Sequence, residues 1–146
     1  MTVAAVAASF WFASATAADT VRVGPLELAN GEVRLWVELV PTHPRLSEYK
    51  RTLVVSRGGA EVRQTLFPDT GGYGRLNIYR QSGEVLVVRG PFDALLVHLD
   101  PLRIEMPPQP TMASGKYVAA LAQGADGAWR FIPAAEAGEL PLEVTK

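Results

Sequence analysis

Hydrophobic and polar side chains alternate with a period of two along most of the chain after residue 19. Between Glu32 and Val40, the apolar residues of one face are Val33, Leu35, Val37 and Leu39. The other face is mostly charged and is interrupted by Trp36. This pattern is typical of an antiparallel strand with one buried face. Since no window of helical length after residue 19 shows a 3.6-residue apolar period, the sequence predicts an all-β fold.

Turn-forming residues divide the alternation into about nine or ten short strands. Asn30-Gly31 and Gly58-Gly59 are typical of hairpin turns, and Gly24-Pro25 resets the alternation, which predicts a bulge. A short helical turn is expected over 45–49. The predicted strands cover residues 21–28, 32–40, 49–57, 60–67, 75–81, 84–89, 92–99, 102–106, 116–122 and 128–132. One further short strand is expected around 140–144. The sequence thus predicts an antiparallel β-sandwich or a small β-barrel, and strand number does not decide between them.

The first eighteen residues carry no charged side chain. An apolar run from Val3 to Phe12 is followed by small residues at 15, 17 and 18, which is typical of a signal peptide cleaved after Ala17 or Ala18. The usual basic start is missing, which leaves a buried N-terminal helix or a membrane anchor as alternatives, although the run is shorter than the roughly 20 residues that span a bilayer. We expect a signal-peptide helix over residues 1–18, one β domain over 19–146 without an integral membrane segment, and a periplasmic or extracellular location.

Charge and composition narrow the classes of function. The chain has 14 basic and 15 acidic side chains, and this near-neutral balance argues against a nucleic-acid binder. It has no cysteine, so disulfides, thiolate catalysis and zinc–cysteine sites are excluded. Residues 45–90 are rich in arginine, whereas residues 91–146 are mostly acidic. The basic region suggests an anionic partner, and the alternative is that the two halves form ordinary ion pairs across strands.

The triplet Asp69-Thr70-Gly71 resembles the active-site motif of the aspartic proteases, and the chain length resembles their single-domain, homodimeric type. The resemblance implies two Asp69 carboxylates that share one proton across a dimer axis. It covers three residues, and Pro68 stands where that family has an apolar strand residue. The alternative is a turn in which Asp69 bonds the local backbone and glycine takes a positive φ.

The remaining residues point to no catalytic centre, no metal site and no cofactor. His98 and Asp100 are two positions apart on one strand, where a structural hydrogen bond is the expected role rather than acid–base chemistry. No serine stands in a Gly-x-Ser-x-Gly motif. Trp129, Phe131 and Phe67 are expected in the core.

Tyr73, Arg75, Tyr79 and Arg80 are the candidate binding residues, because tyrosine hydroxyls and arginine guanidinium groups can form a flat surface for a sugar or protein partner. Arg75, Asn77 and Tyr79 fall on one strand face, and the alternative is an ordinary solvent-facing strand. We therefore expect an exported, non-enzymatic binding or accessory module of the cell envelope, with a protein or an anionic component as partner. The alternatives are a carrier of a small apolar ligand and, more remotely, a protease using Asp69.

Overall fold

A computed structural model describes residues 19–72, 74–108 and 115–143. These residues form ten antiparallel strands and one 3-10 turn, which confirms the all-β prediction. The expected signal-peptide helix lies outside the described residues. The strands are β1 (Val21–Leu28), β2 (Val33–Pro41), β3 (Tyr49–Arg57), β4 (Ala60–Thr65), β5 (Leu76–Ser82), β6 (Val85–Arg89), β7 (Ala94–Leu99), β8 (Leu102–Glu105), β9 (Lys116–Gln123) and β10 (Trp129–Pro133).

The strands are divided between two sheets that pack as a β-sandwich. The first sheet has the order β1-β2-β3-β4, and the second has the order β10-β9-β5-β6-β7-β8. Strand β9 pairs with β5 rather than with β8, the strand before it in the sequence. At the two sides of the sandwich, edge strand β1 lies beside β10 and β4 lies beside β8. Strand β5 lies inside its sheet, between β9 and β6. Its side chains therefore have neighbours from two strands on each face of the sheet.

Alternate residues of both sheets point inward and form one core. In the run Val85–Val88, Leu86 and Val88 face this core, while Val87 lies on the outer face and is still buried. Burial of each such aliphatic side chain contributes about 1.5–3 kcal/mol to folding. The fully buried aliphatic residues of the core include Leu35, Val37, Leu53, Val55, Leu76, Ile78, Leu86, Val97 and Leu121.

The irregularities predicted in the first hairpin are confirmed. The pairing register of β1 on β2 shifts between Val23 and Leu26, at the position of Gly24-Pro25. Asn30 and Gly31 then turn the chain with positive φ angles of 57° and 85°, in the left-handed region that asparagine and glycine adopt most easily. The bulge and the turn explain why the apolar phase changes within β1.

Two sequence predictions of secondary structure are wrong. The expected helical turn over 45–49 is absent, since residues 42–46 form bends and Tyr49 already begins β3. The final strand expected at 140–144 is not formed over its described residues, 140–143. That segment bonds to side chains rather than to a neighbouring backbone, as shown below.

Phe67 was expected in the core and instead lies 45% exposed. Its backbone N–H donates to Asp93 Oδ1 at 2.8 Å, and its carbonyl accepts from Arg51. Because both backbone groups are used on the inward side, the ring is left at the surface. There it packs on the ring of Phe92, with centroids 4.7 Å apart.

A buried ion pair connects the two sheets. Arg51 of β3 is 1% exposed, and its guanidinium donates to Asp93 Oδ2 at 2.7 Å, in the loop between β6 and β7. The same guanidinium donates to the carbonyls of Phe67 and Gly74, in the connection from β4 to β5. One side chain thus joins the first sheet, the connection between the sheets and the second sheet. Such a pair is retained only when its remaining hydrogen bonds are satisfied.

Removal of one partner of the Arg51–Asp93 pair should lower the stability of the fold. Asp93→Ala leaves the Arg51 charge buried without its carboxylate, and we expect the free energy of unfolding to fall by about 3–5 kcal/mol in urea denaturation. Arg51→Met combined with Asp93→Ala should cost less than the sum of the single variants, because the uncompensated charge is gone. Arg103→Ala breaks only an exposed ion pair with Glu105 and is the control. An equal effect of Asp93→Ala and Arg103→Ala would contradict a connecting role.

Candidate functional site

The structure places Asn77 and Tyr79 on one face of β5, directly after Arg75, as predicted. This face is not exposed to solvent, since Asn77 is 1% and Tyr79 is 5% accessible. Arg80 lies apart from them, at the end of the strand. Tyr73 lies outside the described residues. The predicted side chains therefore lie on one face of β5, but another part of the chain covers that face.

Residues 138–143, called here the covering segment, lie across the outer face of the second sheet. The Tyr117 hydroxyl donates to the carbonyl of Gly138 at 3.2 Å, and the Tyr79 hydroxyl donates to the carboxylate of Glu139 at 3.0 Å. Tyr117 lies opposite Tyr79 on β9, and the two rings are 5.9 Å apart. These contacts fix the beginning of the segment over the pair of tyrosines.

The rest of the covering segment is bound through its backbone. The Asn77 amide donates to the carbonyl of Leu140 at 2.9 Å and accepts from its N–H at 3.1 Å. The Arg75 guanidinium donates to the carbonyl of Pro141 and, at 3.1 Å, to that of Glu143. The segment therefore runs antiparallel to β5, on top of the sheet rather than at its edge.

Burial and the neighbouring Glu139 change the pKa of the Tyr79 hydroxyl. Burial raises the pKa of Tyr79 to about 12, with a further contribution from the hydrogen bond and negative charge of Glu139. Burial and the same carboxylate raise the pKa of Tyr117. At neutral pH both phenols are therefore protonated and act as donors to the covering segment.

Arg80 contributes to a different feature, an open cleft at one end of the sandwich. Arg80 on β5 and Lys116 on β9 are directly paired in register, and both line this cleft of about 680 Å³. Within the described part of the chain, neither side chain has an ion pair or a hydrogen bond. The other lining residues are mostly apolar: Leu28, Ala29, Tyr117, Val118, Pro133, Ala134 and Ala135. Sequence reasoning missed Lys116, because its position beside Arg80 depends on the pairing of strands far apart in the chain.

Most other arginines of the basic central region are already paired. Arg57 binds Glu32 and Glu84, and Arg63 binds Glu38 and Glu61. These carboxylates lie between residues 32 and 84, so Arg57 and Arg63 are paired, but not with the acidic half over 91–146. The guanidinium of Arg75 donates to backbone carbonyls. Among the described residues, Arg80 of this region and Lys116 opposite it on β9 both lack an ionic partner and both line the cleft.

Asp69 occupies the turn that its sequence context allows. The residue is 2% exposed, and its Oδ1 accepts hydrogen bonds from the N–H groups of Gly71 and Gly72 at 3.2 Å and 3.0 Å. Gly71 and Gly72 have φ angles of 115° and 107°, which residues other than glycine rarely adopt. The turn interpretation is confirmed, and the Asp69 carboxylate serves the backbone of its own loop.

His98 has a partner other than the one expected. Its Nε2 lies 3.0 Å from Glu105 Oε2 on the neighbouring strand β8, rather than bonding to Asp100. This hydrogen bond, together with Arg103, lowers the pKa of Glu105. In the described ranges, no three histidine, aspartate or glutamate side chains lie close enough together to bind a metal ion.

Comparisons with known proteins assign no relative to this chain. No protein-family model, no curated protein and no solved structure matches it. Among the described residues, the structure contains no helix of the length and apolar character needed to cross a membrane. Function must therefore be inferred from the cleft and the covered face themselves.

The pKa of the Tyr79 hydroxyl should change when the charge of Glu139 is removed. Glu139→Gln removes a charge and weakens the acceptor, so the pKa of Tyr79 should fall in an alkaline ultraviolet titration, with Tyr79→Phe identifying its signal. The value should stay above that of free tyrosine, because burial is the larger cause. Since folding raises this pKa, the stability that depends on neutral Tyr79 is present below pH 10 and is lost as the pH rises towards about 12.

Glu143→Gln is the matched control for this titration. It makes the same change of charge in the covering segment, but the segment uses only the backbone carbonyl of Glu143 in its contact with Arg75. Equal shifts of the Tyr79 pKa in both variants would show a general charge effect and contradict the specific hydrogen bond.

Proposed function

We propose that this protein is an exported, non-enzymatic binding or accessory module of the cell envelope, and that it binds an anionic envelope component in the Arg80–Lys116 cleft. The observation that carries the proposal is the pair of adjacent cations with no carboxylate partner in the described chain, at an open and mostly apolar cleft. Like charges directly opposite each other on neighbouring strands repel. An anion bound between Arg80 and Lys116 relieves that repulsion.

The walls of the cleft suggest the chemistry of the ligand. Leu28, Val118 and Pro133 can bury an apolar group, at about 25 cal/mol for each Å² removed from water. The guanidinium of Arg80 and the ammonium of Lys116 can form charge-assisted hydrogen bonds to a carboxylate or phosphate. The ligand that fits both features is an amphiphilic anion, with a charged head beside the cations and an apolar part against the cleft wall.

The two alternative functions have less support. A carrier of a neutral apolar ligand needs an enclosed apolar cavity, and the Arg80–Lys116 cleft is open and carries two cations. A protease of the aspartic type needs two Asp69 carboxylates in contact, and Asp69 is buried with Oδ1 bonded to its own turn. The binding of an anion in the Arg80–Lys116 cleft is therefore better supported than either the carrier or the protease function.

Decanoate, a soluble amphiphilic anion, is a direct probe of the cleft. We expect it to bind saturably and to shift the amide resonances of residues 116–118 and of Ala134 and Ala135 in a nuclear magnetic resonance titration. Arg80→Gln with Lys116→Gln should weaken binding at least about tenfold, or about 1.4 kcal/mol. The effect should decrease at high salt, because these cations are accessible to solvent.

The control is Arg45→Gln with Lys50→Gln, which removes two exposed positive charges outside the cleft. An equal loss of decanoate affinity in both double variants would indicate non-specific attraction and contradict the proposal. Decanol tests the role of the charged head. If decanol bound as tightly as decanoate, the apolar carrier would be favoured instead.

Export has its own test. We expect expression of the complete chain in a bacterial host to give a periplasmic product that begins at Ala18 or Asp19, as measured by intact mass. Ala17→Leu with Ala18→Leu should slow this processing, because a signal peptidase requires small residues before the cleaved bond. A cytoplasmic product that keeps residues 1–18 would contradict the proposed location.

A further inference from the structure

The outer face of β5 and β9 is organised to bind an extended backbone. Arg75, Asn77, Tyr79 and Tyr117 form this surface, called here the outer groove. Asn77 bonds both the N–H and the carbonyl of Leu140, as a neighbouring strand would. Arg75 and Tyr117 bond carbonyls only. The groove therefore recognises a main chain in the manner of peptide-binding surfaces that add an extended segment to a sheet.

One contact of the groove is specific for a side chain. The Tyr79 hydroxyl donates to the carboxylate of Glu139, two positions before Pro141. Proline at this position suits an extended segment, because it has no N–H to satisfy and its φ is fixed near that of extended chains. The recognised sequence is thus an acidic residue, one further residue that offers its backbone, and then proline.

The covering segment is bound less firmly than the strands beneath it. Gly138, Glu139 and Pro141 are exposed, whereas Asn77 and Ala120 under them are 1% accessible. The segment takes no part in a strand ladder and is bound through side-chain hydrogen bonds, each of which adds little net stability. Segments with few buried contacts open at a lower free energy than the core.

We infer that the outer groove is a binding site for an extended peptide, and that residues 138–143 occupy it as a resident ligand of the same chain. The partner is an extended segment of another protein with an acidic residue two positions before a proline. It binds when the covering segment leaves the groove. This site adjoins the Arg80–Lys116 cleft and shares Tyr117 with it, but the inference does not depend on the function proposed for the cleft.

A release variant of the complete chain tests the groove. Leu140→Pro removes the N–H that donates to Asn77, and Glu139→Lys removes the acceptor of Tyr79, so together they should empty the groove. A synthetic peptide with the sequence of residues 136–143 should then bind the release variant, measured by calorimetry. The unaltered chain, with its groove occupied, should bind this peptide at least about tenfold more weakly.

Two controls establish that the contacts are those of the groove. A peptide with a methyl group on the backbone nitrogen corresponding to Leu140 should lose at least about tenfold in affinity, because it has no N–H for Asn77. Asn77→Leu in the release variant should weaken binding of the normal peptide similarly. Arg80→Gln with Lys116→Gln should leave peptide binding unchanged, which separates this inference from the proposed function.

Other results would overturn the inference. If the folded release variant does not bind the peptide, or binds the methylated peptide equally well, the groove does not recognise a main chain. Hydrogen exchange of the unaltered chain provides an independent test should the release variant fail to fold. The amide of Leu140 should then exchange faster than that of Ala120, and equal protection would show that the segment opens only with the whole fold. Dimers that exchange this segment would place the occupant in a second copy and would also contradict the inference.

Discussion

The buried pair of Arg51 and Asp93 is the interaction on which the arrangement of the two sheets depends. A sandwich core is non-directional, because apolar side chains from two sheets can pack in many relative positions. A guanidinium that bonds Asp93, Phe67 and Gly74 at once accepts only one arrangement of the elements that carry them. Burial of this charge is costly, and the hydrogen bonds that satisfy it therefore select one position of the connection between the sheets.

That connection determines where the functional side chains lie. Gly74, whose carbonyl binds Arg51, directly precedes Arg75 and β5. A Cβ at Gly74 would come within 2.7 Å of Trp129 and 2.9 Å of Asp69 Oδ2, so the backbone is closely enclosed there. From this fixed start, the alternation of β5 places Asn77 and Tyr79 outward and brings Arg80 to the far end of the sandwich. The ion pair at one end thus sets the register of the groove and of the cleft.

The local pattern predicts most of the fold, since alternation and turn residues act over a few positions. The bounds of β3 and the shift at Gly24-Pro25 are confirmed for this reason. Features that depend on distant pairing could not be predicted. Lys116 meets Arg80 only because β9 returns to β5, and the face of Tyr79 is covered only because residues 138–143 cross it. The sequence around these residues carries no periodic signal of such contacts.

The cleft and the outer groove are adjacent, and the contacts between them determine whether binding at one affects binding at the other. Tyr117 belongs to both, because it lines the cleft and its hydroxyl donates to the carbonyl of Gly138. Ala134, which also lines the cleft, is tied to β9 by a hydrogen bond from its N–H to the carbonyl of Val118. This bond lies before the covering segment, so residues 138–143 can leave the groove while the cleft wall at Ala134 stays in place. A ligand of the cleft shifts the equilibrium between the occupied and the empty groove only if it binds one of these two states more tightly. Cleft contacts that are the same in both states contribute nothing to that difference in affinity. The Tyr117 hydroxyl loses its acceptor when the covering segment leaves, so this side chain can couple the two surfaces.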